Sequence, residues 1–418
     1  MGNWTAARRV LFLTVFIDLM GYGLVVPVLA FCAKQYGASG ATLGLILGSF
    51  SLMQFFFAPV WGRLSDRVGR RPVLIGSLCG TVLGFLTFAF ASSVAALFAA
   101  SSVAALFAAR IITGITTASI PAAQAYISDT TDETNRAKGM ASISLALGLG
   151  LVLGPPIGGL LSSLGTELGI SPSLLPGAAA AMLSTTALLM AVFLLPESLQ
   201  REARQTARRW LPIDHEAWAI FFRTRELRFG GGALAVIMCT LASLAPILVL
   251  VGRDRFGLTA GEVGYLLGLI GAVVVVLQLT AVHRLASRLG DVGAAMIGAG
   301  ALALGLLIVP ATTARGALVV AACLMGVGQG LCNPMLSSYI SKVAPASHRG
   351  GILGVVTSLS ALGRVIGPPL AGLAYDAFRT RGALLSQAAI VSVAMLLAVR
   401  LIAPPRRSAA VLAPADPA

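Results

Sequence analysis

The sequence predicts an all-α integral membrane protein, with twelve transmembrane helices in two six-helix bundles related by a parallel pseudo-repeat. Of its 418 residues, 57% are apolar and only 11% are charged, whereas about a quarter of an average soluble domain is charged. Apolar runs of about twenty residues recur from Leu11 to Ile402, and each is long enough to cross a hydrocarbon core about 30 Å thick. The two halves of the chain also repeat each other in sequence.

The spans leave no room for a sizeable soluble domain. We predict an N-terminal bundle over 1–196, a linker over 197–228, a C-terminal bundle over 229–403 and a tail over 404–418. The predicted spans cover 10–31, 41–61, 73–92, 103–127, 139–162 and 175–195 in the first bundle, and 229–252, 262–282, 292–311, 317–341, 351–375 and 383–403 in the second.

Charge sets the expected orientation. Most of the 30 basic residues fall in alternate connections, on the side that carries both termini. Cytoplasmic connections are enriched in Lys and Arg, so we expect both termini in the cytoplasm of a bacterium and the spans in its inner membrane. The same distribution accounts for the net charge of +14, and no nucleic-acid partner is expected.

The linker mixes basic and aromatic residues, as in Arg208-Arg209-Trp210 and Trp218-Ala-Ile-Phe221-Phe222. This composition is typical of a segment on the inner membrane surface, and a disordered linker is the alternative.

The internal repeat has a constant register. Pro334 follows Pro121 by 213 residues, and the run from Gly363 to Gly372 follows the matching run from Gly150 to Gly159 by the same offset. The repeat joins span 4 to span 10 and span 5 to span 11, so it is parallel. Parallel repeats place a substrate path between the bundles, near the middle of the membrane.

A second repeat is local: Ala91 to Ala99 is followed at once by an identical copy, Ala100 to Ala108. We interpret it as a duplication that lengthens the outer connection between spans 3 and 4.

Buried charge marks the expected site. Of the 16 acids only Asp18 lies well inside a span, where an ionised side chain costs roughly 2.5–3.5 kcal/mol. A proton carrier is the favoured role, and a structural partner for a buried arginine is the alternative. Arg110 is expected to bind a proton-bearing acid or a substrate anion, and pairing with Asp18 is the alternative. Arg364, which replaces Leu151 of the first half, is a candidate for substrate specificity, with snorkelling or pairing as the alternative.

Further polar residues near mid-span either line the cavity or bond between helices. Helical spacing places Arg110, Gly114, Thr117, Pro121 and Gln124 on one face of span 4. The complete predicted cavity set is Asp18, Tyr22, Gln54, Arg110, Thr117, Gln124, Gln278, Gln329, Asn333 and Arg364.

No catalytic constellation is present in the sequence, so we expect no enzyme. The three histidines fall in connections and the five cysteines lack metal-ligand spacing. Protons are the only coupling ion expected, with no cofactor and no metal. We expect a monomer in the lipid bilayer that binds a small-molecule substrate.

The connection after span 2, Gly62-Arg-Leu-Ser-Asp66-Arg67-Val-Gly69-Arg70-Arg-Pro72, resembles the signature loop of the major facilitator superfamily. A plain tight turn is the alternative, but it would not explain the acid Asp66 among basic and glycine residues. The resemblance implies that Asp66 meets the start of span 11 and that Arg70 pairs with Asp129 at the end of span 4. A carboxylate at a helix N-terminus is physically favourable. The loop would then latch the cytoplasmic side of the two bundles.

Span 5 contains Gly150, Gly154, Pro155, Gly158 and Gly159, a pattern that allows close helix approach and a kink. It resembles the motif of proton-coupled drug exporters of the superfamily, and Arg110 to Gly114 resembles their companion motif. The run from Asp18 to Leu29 resembles span 1 of the tetracycline exporters. Those exporters carry acids in spans 3 and 9, and the matching stretches here contain none, so the substrate stays open.

The resemblance implies a proton-coupled antiporter that exports an amphipathic drug. The alternatives are an exporter of a metabolite or siderophore and, from another class, a non-transporting membrane sensor or lipid-handling protein.

Overall fold

The computed structural model describes residues 2–91, 102–131, 133–198, 215–345 and 348–402. Every regular element in these ranges is a helix, as predicted. The first half contains α1 (Gly2–Gln35), α2 (Gly40–Val68), α3 (Arg70–Ala89), α4 (Ser102–Thr116), α5 (Ser119–Thr130), α6 (Glu133–Glu167) and α7 (Leu174–Phe193). The second half contains α8 (His215–Arg223), α9 (Arg225–Phe256), α10 (Ala260–Thr280), α11 (Val282–Ala311), α12 (Arg315–Val343) and α13 (Arg349–Ile402).

The described helices account for the twelve predicted spans. Ten of them are long and apolar enough to cross a membrane. One of the ten, α13, has 54 residues and kinks at Arg379, so it holds both span 11 and span 12. Span 4 is divided between α4 and α5, which are individually too short to cross a bilayer. The all-α two-bundle fold is therefore confirmed.

The predicted ends of spans 2 and 3 leave 62–72 as a connection, and the structure shortens this connection to one residue. Helix α2 continues through Val68 and α3 begins at Arg70, so only Gly69 lies outside a helix. Gly69 has a φ of 119°, a region that residues with a Cβ atom rarely occupy. One glycine therefore makes the whole turn. The equivalent residue of the second half, Gly290, also has a positive φ, 70°, inside α11.

The second part of the predicted linker forms α8. Its side chains Ala217 and Phe221 are buried, and the helix packs against α9 and α13. The Phe221 ring faces Gly231 of α9, where a Cβ atom would come within 2.6 Å of it. This end of the linker is thus anchored to the second bundle. Residues 199–214, which include the Arg208-Arg209-Trp210 cluster, lie outside the described residues, as do 92–101 of the duplication and the predicted tail.

The two bundles meet through two matching helix pairs, α2 with α13 and α6 with α10. A Cβ atom on Gly44 of α2 would lie 2.2 Å from the backbone of Pro368 in α13, and one on Gly264 of α10 would lie 2.4 Å from the backbone of Pro155 in α6. Both contacts use the repeated Gly-Pro-Pro segment, so each bundle presents the same surface to the other. At the predicted outer end, the Asp376 carboxylate also accepts the N–H groups of Gly40 and Ala41, at 2.7 and 2.8 Å.

Candidate functional site

A cavity with a volume of about 440 Å³ lies between the two bundles. Asp18, Tyr22, Gln54, Arg110 and Thr117 line it from the first bundle, as predicted. Arg364 lines it from the second bundle, together with the small or apolar residues Ala242, Ala245, Pro246 and Pro368. A mostly apolar chamber with a few convergent polar groups is the usual form of a small-molecule site.

Asp18 is 7% exposed and connects three helices. The Ser119 hydroxyl, at the start of α5, donates to its carboxylate at 2.8 Å, and the Ser184 hydroxyl of α7 donates at 3.5 Å. Two neutral donors stabilise a buried carboxylate less than a cation would. Among the described residues, Asp18 takes part in no ion pair, so its charge is not cancelled by a partner.

The break in span 4 lies directly beside Asp18. Helix α4 ends at Thr116 and α5 begins at Ser119. The freed Ala118 N–H donates to the Ser77 hydroxyl at 3.0 Å, and the Trp61 ring N–H donates to the Ile115 carbonyl. These side chains satisfy backbone groups that would otherwise be unpaired in the membrane interior. The break also directs the N-terminal end of α5, the positive end of its helix dipole, toward the Asp18 region.

Arg110 is 3% exposed and does not pair with Asp18. Its guanidinium carbon lies 4.3 Å from the ring centroid of Phe50 and 5.3 Å from that of Tyr22. Its Nε atom is buried and has no hydrogen-bond partner among the described residues. The guanidinium is therefore held by two aromatic rings, which attract a cation without accepting its hydrogen bonds.

Arg364 is partly buried in α13 and faces the same chamber from the opposite bundle. Neither the hydrogen bonds nor the ion pairs described for the chain involve its side chain. Arg364 therefore lines the chamber, and its role in substrate specificity stays a prediction.

Four other predicted cavity residues lie elsewhere. Gln124, Gln278 and Asn333 are exposed and do not line the chamber, and Gln329 lines a smaller adjoining cavity of about 140 Å³. For Gln124 the reason is local: the break at Thr117–Ala118 ends the regular helical register, so the face that starts at Arg110 does not continue into α5. The prediction that Gln124 lines the chamber is therefore wrong.

The predicted pairing of the signature loop is present in the structure. Arg70 Nε donates to Asp129 Oδ2 at 2.8 Å, and Arg70 Nη1 donates to Asp66 Oδ1 at 2.5 Å. The start of α3 is capped by Glu197, which accepts the backbone N–H groups of Arg70 and Arg71 at 2.9 and 3.3 Å. The contact of Asp66 with the start of span 11 is not among the described contacts, and in this conformation Asp66 binds within its own bundle. Gly62 and Arg67 were also predicted to belong to the latch. The Arg67 side chain is exposed.

Gly150, Gly154 and Gly158 of the predicted antiporter motif pack against α1. Cβ atoms there would come within 2.1 to 2.9 Å of the backbone between Leu19 and Leu24. Gly159 faces α10 instead, 2.5 Å from Ala260 by the same measure. The motif therefore places α6 between the helix that carries Asp18 and the second bundle.

Three serines, Ser77, Ser119 and Ser184, were not predicted from the sequence as site residues, and neither was a second buried acid. Asp291, at the start of span 9 in α11, is 8% exposed and pairs with Lys342 of α12 at 2.6 Å. Hydroxyls are common in transmembrane helices, so only their position next to Asp18 distinguishes these serines. Asp291 could have been found, because it follows Gly290 as Arg70 follows Gly69. Within the described ranges, no cluster of potential metal ligands is found.

The fold defines a two-bundle membrane transporter, and the chamber lies between the bundles. The family model for the major facilitator superfamily matches residues 11–281 and 231–417, and the chain belongs to that family.

The chain is 32% identical to the class C tetracycline resistance protein of Escherichia coli over 371 residues, which cover 87% of this chain and 88% of that protein. It is 26% identical to multidrug resistance protein 2 of Bacillus subtilis (strain 168), with 88% of each chain covered. The crystal structure of the human organic anion transporter MFSD10 (TETRAN) matches with a TM-score of 0.66 at 23% identity, covering 94% of this chain and 99% of that one. The last likeness concerns the fold alone.

Proposed function

We propose that this chain is a proton-coupled antiporter that exports an amphipathic drug across the bacterial cytoplasmic membrane. The observation that carries the proposal is Asp18, a carboxylate that lines the chamber and is almost completely buried, and whose hydrogen bonds within the described residues come from two hydroxyls. Burial favours the neutral form of such a group, so it can take up and release a proton as its surroundings change. Inward flow of protons would then drive export.

The names of the relatives support this direction of transport, because resistance arises when a drug leaves the cell. The chamber supports an amphipathic substrate, since Tyr22, Phe50 and Phe85 supply ring surfaces beside a small number of polar groups. The cluster of Arg70, Asp66 and Asp129 would act as the inner latch. Asp66 would bind the start of span 11 when the inner side closes.

We propose that the chain acts as a monomer. The proposed orientation places both termini in the cytoplasm. Single cysteines introduced at exposed positions of the two sides, with an impermeant thiol reagent added to intact cells, would test it. Labelling of the connection between α1 and α2, and not of the turn at Gly69, is expected.

The transport test uses purified protein in proteoliposomes with an imposed pH gradient. The substrate probe is tetracycline, or any other compound to which the expressed protein confers resistance in an exporter-deficient bacterium. The Asp18→Asn variant should exchange the probe passively at a rate close to that of the wild type and should fail to accumulate it against a gradient. Glu167→Gln, which neutralises an exposed acid at the end of α6, is the matched control.

Accumulation by Asp18→Asn at the wild-type level would overturn the assignment of the proton site. Wild-type protein that binds a ligand but shows no transport would favour a sensor or lipid-handling protein instead.

A further inference from the structure

The chamber has an excess of positive charge. Among the described residues, the acidic and basic ones that line it are Asp18, Arg110 and Arg364, so two guanidinium groups accompany one carboxylate. A substrate that carried only positive charge would meet net repulsion there.

Neither arginine is neutralised within the described part of the chain. The ion pairs described there involve Arg70, Arg315, Lys342 and His348. The Arg110 side chain is 97% removed from solvent and has its Nε without an acceptor. An unpaired buried cation is costly, and an anionic ligand group would supply both the missing charge and the missing acceptor.

Tyr22 lines the chamber together with both cations. Its ring contacts the Arg110 guanidinium, 5.3 Å from the ring centroid. The two arginines thus share one chamber with this aromatic side chain, although they belong to opposite bundles. A guanidinium binds a carboxylate through two parallel N–H bonds, so an acidic group between them would connect the bundles through the substrate.

We infer that Arg364 and Arg110 form an anion subsite in the chamber and that the substrates are amphipathic zwitterions, in which an acidic group binds these two arginines. The inference rests on the proposed function, because it assumes that the chamber is the transport site.

The zwitterionic character follows from the sign of coupling. Protonation of Asp18 removes the one negative charge of the chamber, so a simple anion would bind best to the protonated carrier. Exchange requires the opposite, namely that the substrate and the proton exclude each other. A substrate that exchanges with a proton must therefore also present a cationic or hydrogen-bond-donating group that competes with the proton at Asp18.

The test compares rhodamine B, a zwitterion with a free carboxylate, with its ethyl ester, which lacks that negative charge. Binding to the protein in nanodiscs is measured by fluorescence polarisation, after subtraction of binding to empty nanodiscs. Wild-type protein should bind the free acid at least tenfold more tightly than the ester. Arg364→Gln should remove this preference, and Arg364→Lys, which keeps the charge, should retain part of it. Arg381→Gln, an exposed arginine of the same helix, should change nothing.

A measurement on wild-type protein covers the case in which the Arg364 variants fail to fold. Naphthoate should displace bound rhodamine B, and the uncharged naphthamide should not. Equal affinity for the acid and the ester, equal losses for both in Arg364→Gln, or equal displacement by naphthoate and naphthamide would overturn the anion subsite.

These binding measurements need no proton gradient. Failure of the proposed function would appear as an absence of gradient-driven transport, with the preference for the acid unchanged. Failure of this inference would appear as equal binding of acid and ester by a protein that still pumps.

Discussion

Asp291 and Lys342 form an ion pair of 2.6 Å at the positions that Arg70 and Asp129 occupy in the other half of the repeat, with the two charges exchanged. Asp291 directly follows Gly290, as Arg70 directly follows Gly69, and both glycines have a positive φ. Lys342 follows Asp129 by 213 residues, the offset of the repeat. In each bundle an ion pair therefore connects the start of the third span to the end of the fourth span. The two ion pairs have opposite polarity.

This relationship predicts that complementarity matters at the second pair and that its polarity does not. Asp291→Lys should lower the unfolding temperature and the transport rate, because it places a second cation beside Lys342. The double variant Asp291→Lys with Lys342→Asp should recover most of both. Thermal unfolding of the purified protein and transport in proteoliposomes measure the effect, with Glu167→Lys on an exposed site as the control. A double variant no better than the single one would contradict the pairing.

Arg70 binds two carboxylates, and its loss should be more severe than the loss of one of them. Arg70→Ala leaves Asp66 and Asp129 without their shared cation, whereas Asp66→Asn leaves the bond to Asp129 in place. Both variants should transport more slowly and still bind substrate, with Arg70→Ala the slower. Arg288→Ala, an exposed arginine in the matching segment of the second half, is the control. Wild-type rates in both latch variants would refute the latch.

Ser119 should be needed for coupling. Its hydroxyl donates to Asp18 at 2.8 Å, and a hydrogen bond to a charged group contributes about 1.5–3 kcal/mol. Ser119→Ala should lower transport driven by a pH gradient by roughly tenfold, which corresponds to about 1.4 kcal/mol, and Ser119→Thr should remain near the wild-type rate. Ser392→Ala removes a hydroxyl that bonds only to its own helix, at Ala388, and should have no effect. Equal transport by Ser119→Ala and Ser119→Thr would show that the hydroxyl is not required.

Gly44 should control the contact between the bundles. A Cβ atom there would lie 2.2 Å from the Pro368 carbonyl oxygen, and backbone cannot move aside as a flexible side chain can. Gly44→Ala should separate α2 from α13 at the predicted outer end and slow transport several-fold. Spin-label distances between the two helices would measure the separation. Gly300→Ala, where nothing lies within 4 Å of the added atom, is the control. Unchanged distances in Gly44→Ala would contradict the close contact.

The number of spans, the repeat and the principal charges of the site could all be predicted from the sequence. Each of these depends on a property of the chain in one dimension. A run of apolar residues predicts a span whatever its neighbours are, and Asp18, Arg110 and Arg364 stand out because an ionisable group in such a run is costly. The Arg70–Asp129 pair was also predicted, because the loop from Gly62 to Pro72 resembles the signature loop of the major facilitator superfamily.

The partners of these charges could not be predicted from the sequence, because they depend on how the helices pack. Arg110 and Asp18 were each predicted to be buried, yet Arg110 stacks on Phe50 while Asp18 binds Ser119 and Ser184. The partner of a buried group depends on which helices are neighbours. Contacts between glycines and the backbone of adjacent helices set those neighbours, and they join residues far apart in the chain.

The break in span 4 shows the same division. Pro121 and Pro334 are equivalent prolines, and a proline disfavours a regular helix wherever it occurs. Span 4 is broken three residues before Pro121, whereas α12 continues through Pro334. At the break, the Ser77 hydroxyl accepts a hydrogen bond from the freed Ala118 N–H. The Trp61 ring N–H donates one to the freed Ile115 carbonyl oxygen. A proline in the sequence thus marks where a membrane helix can open, and the side chains of neighbouring helices determine whether it does, because a freed backbone group has no water to bind there.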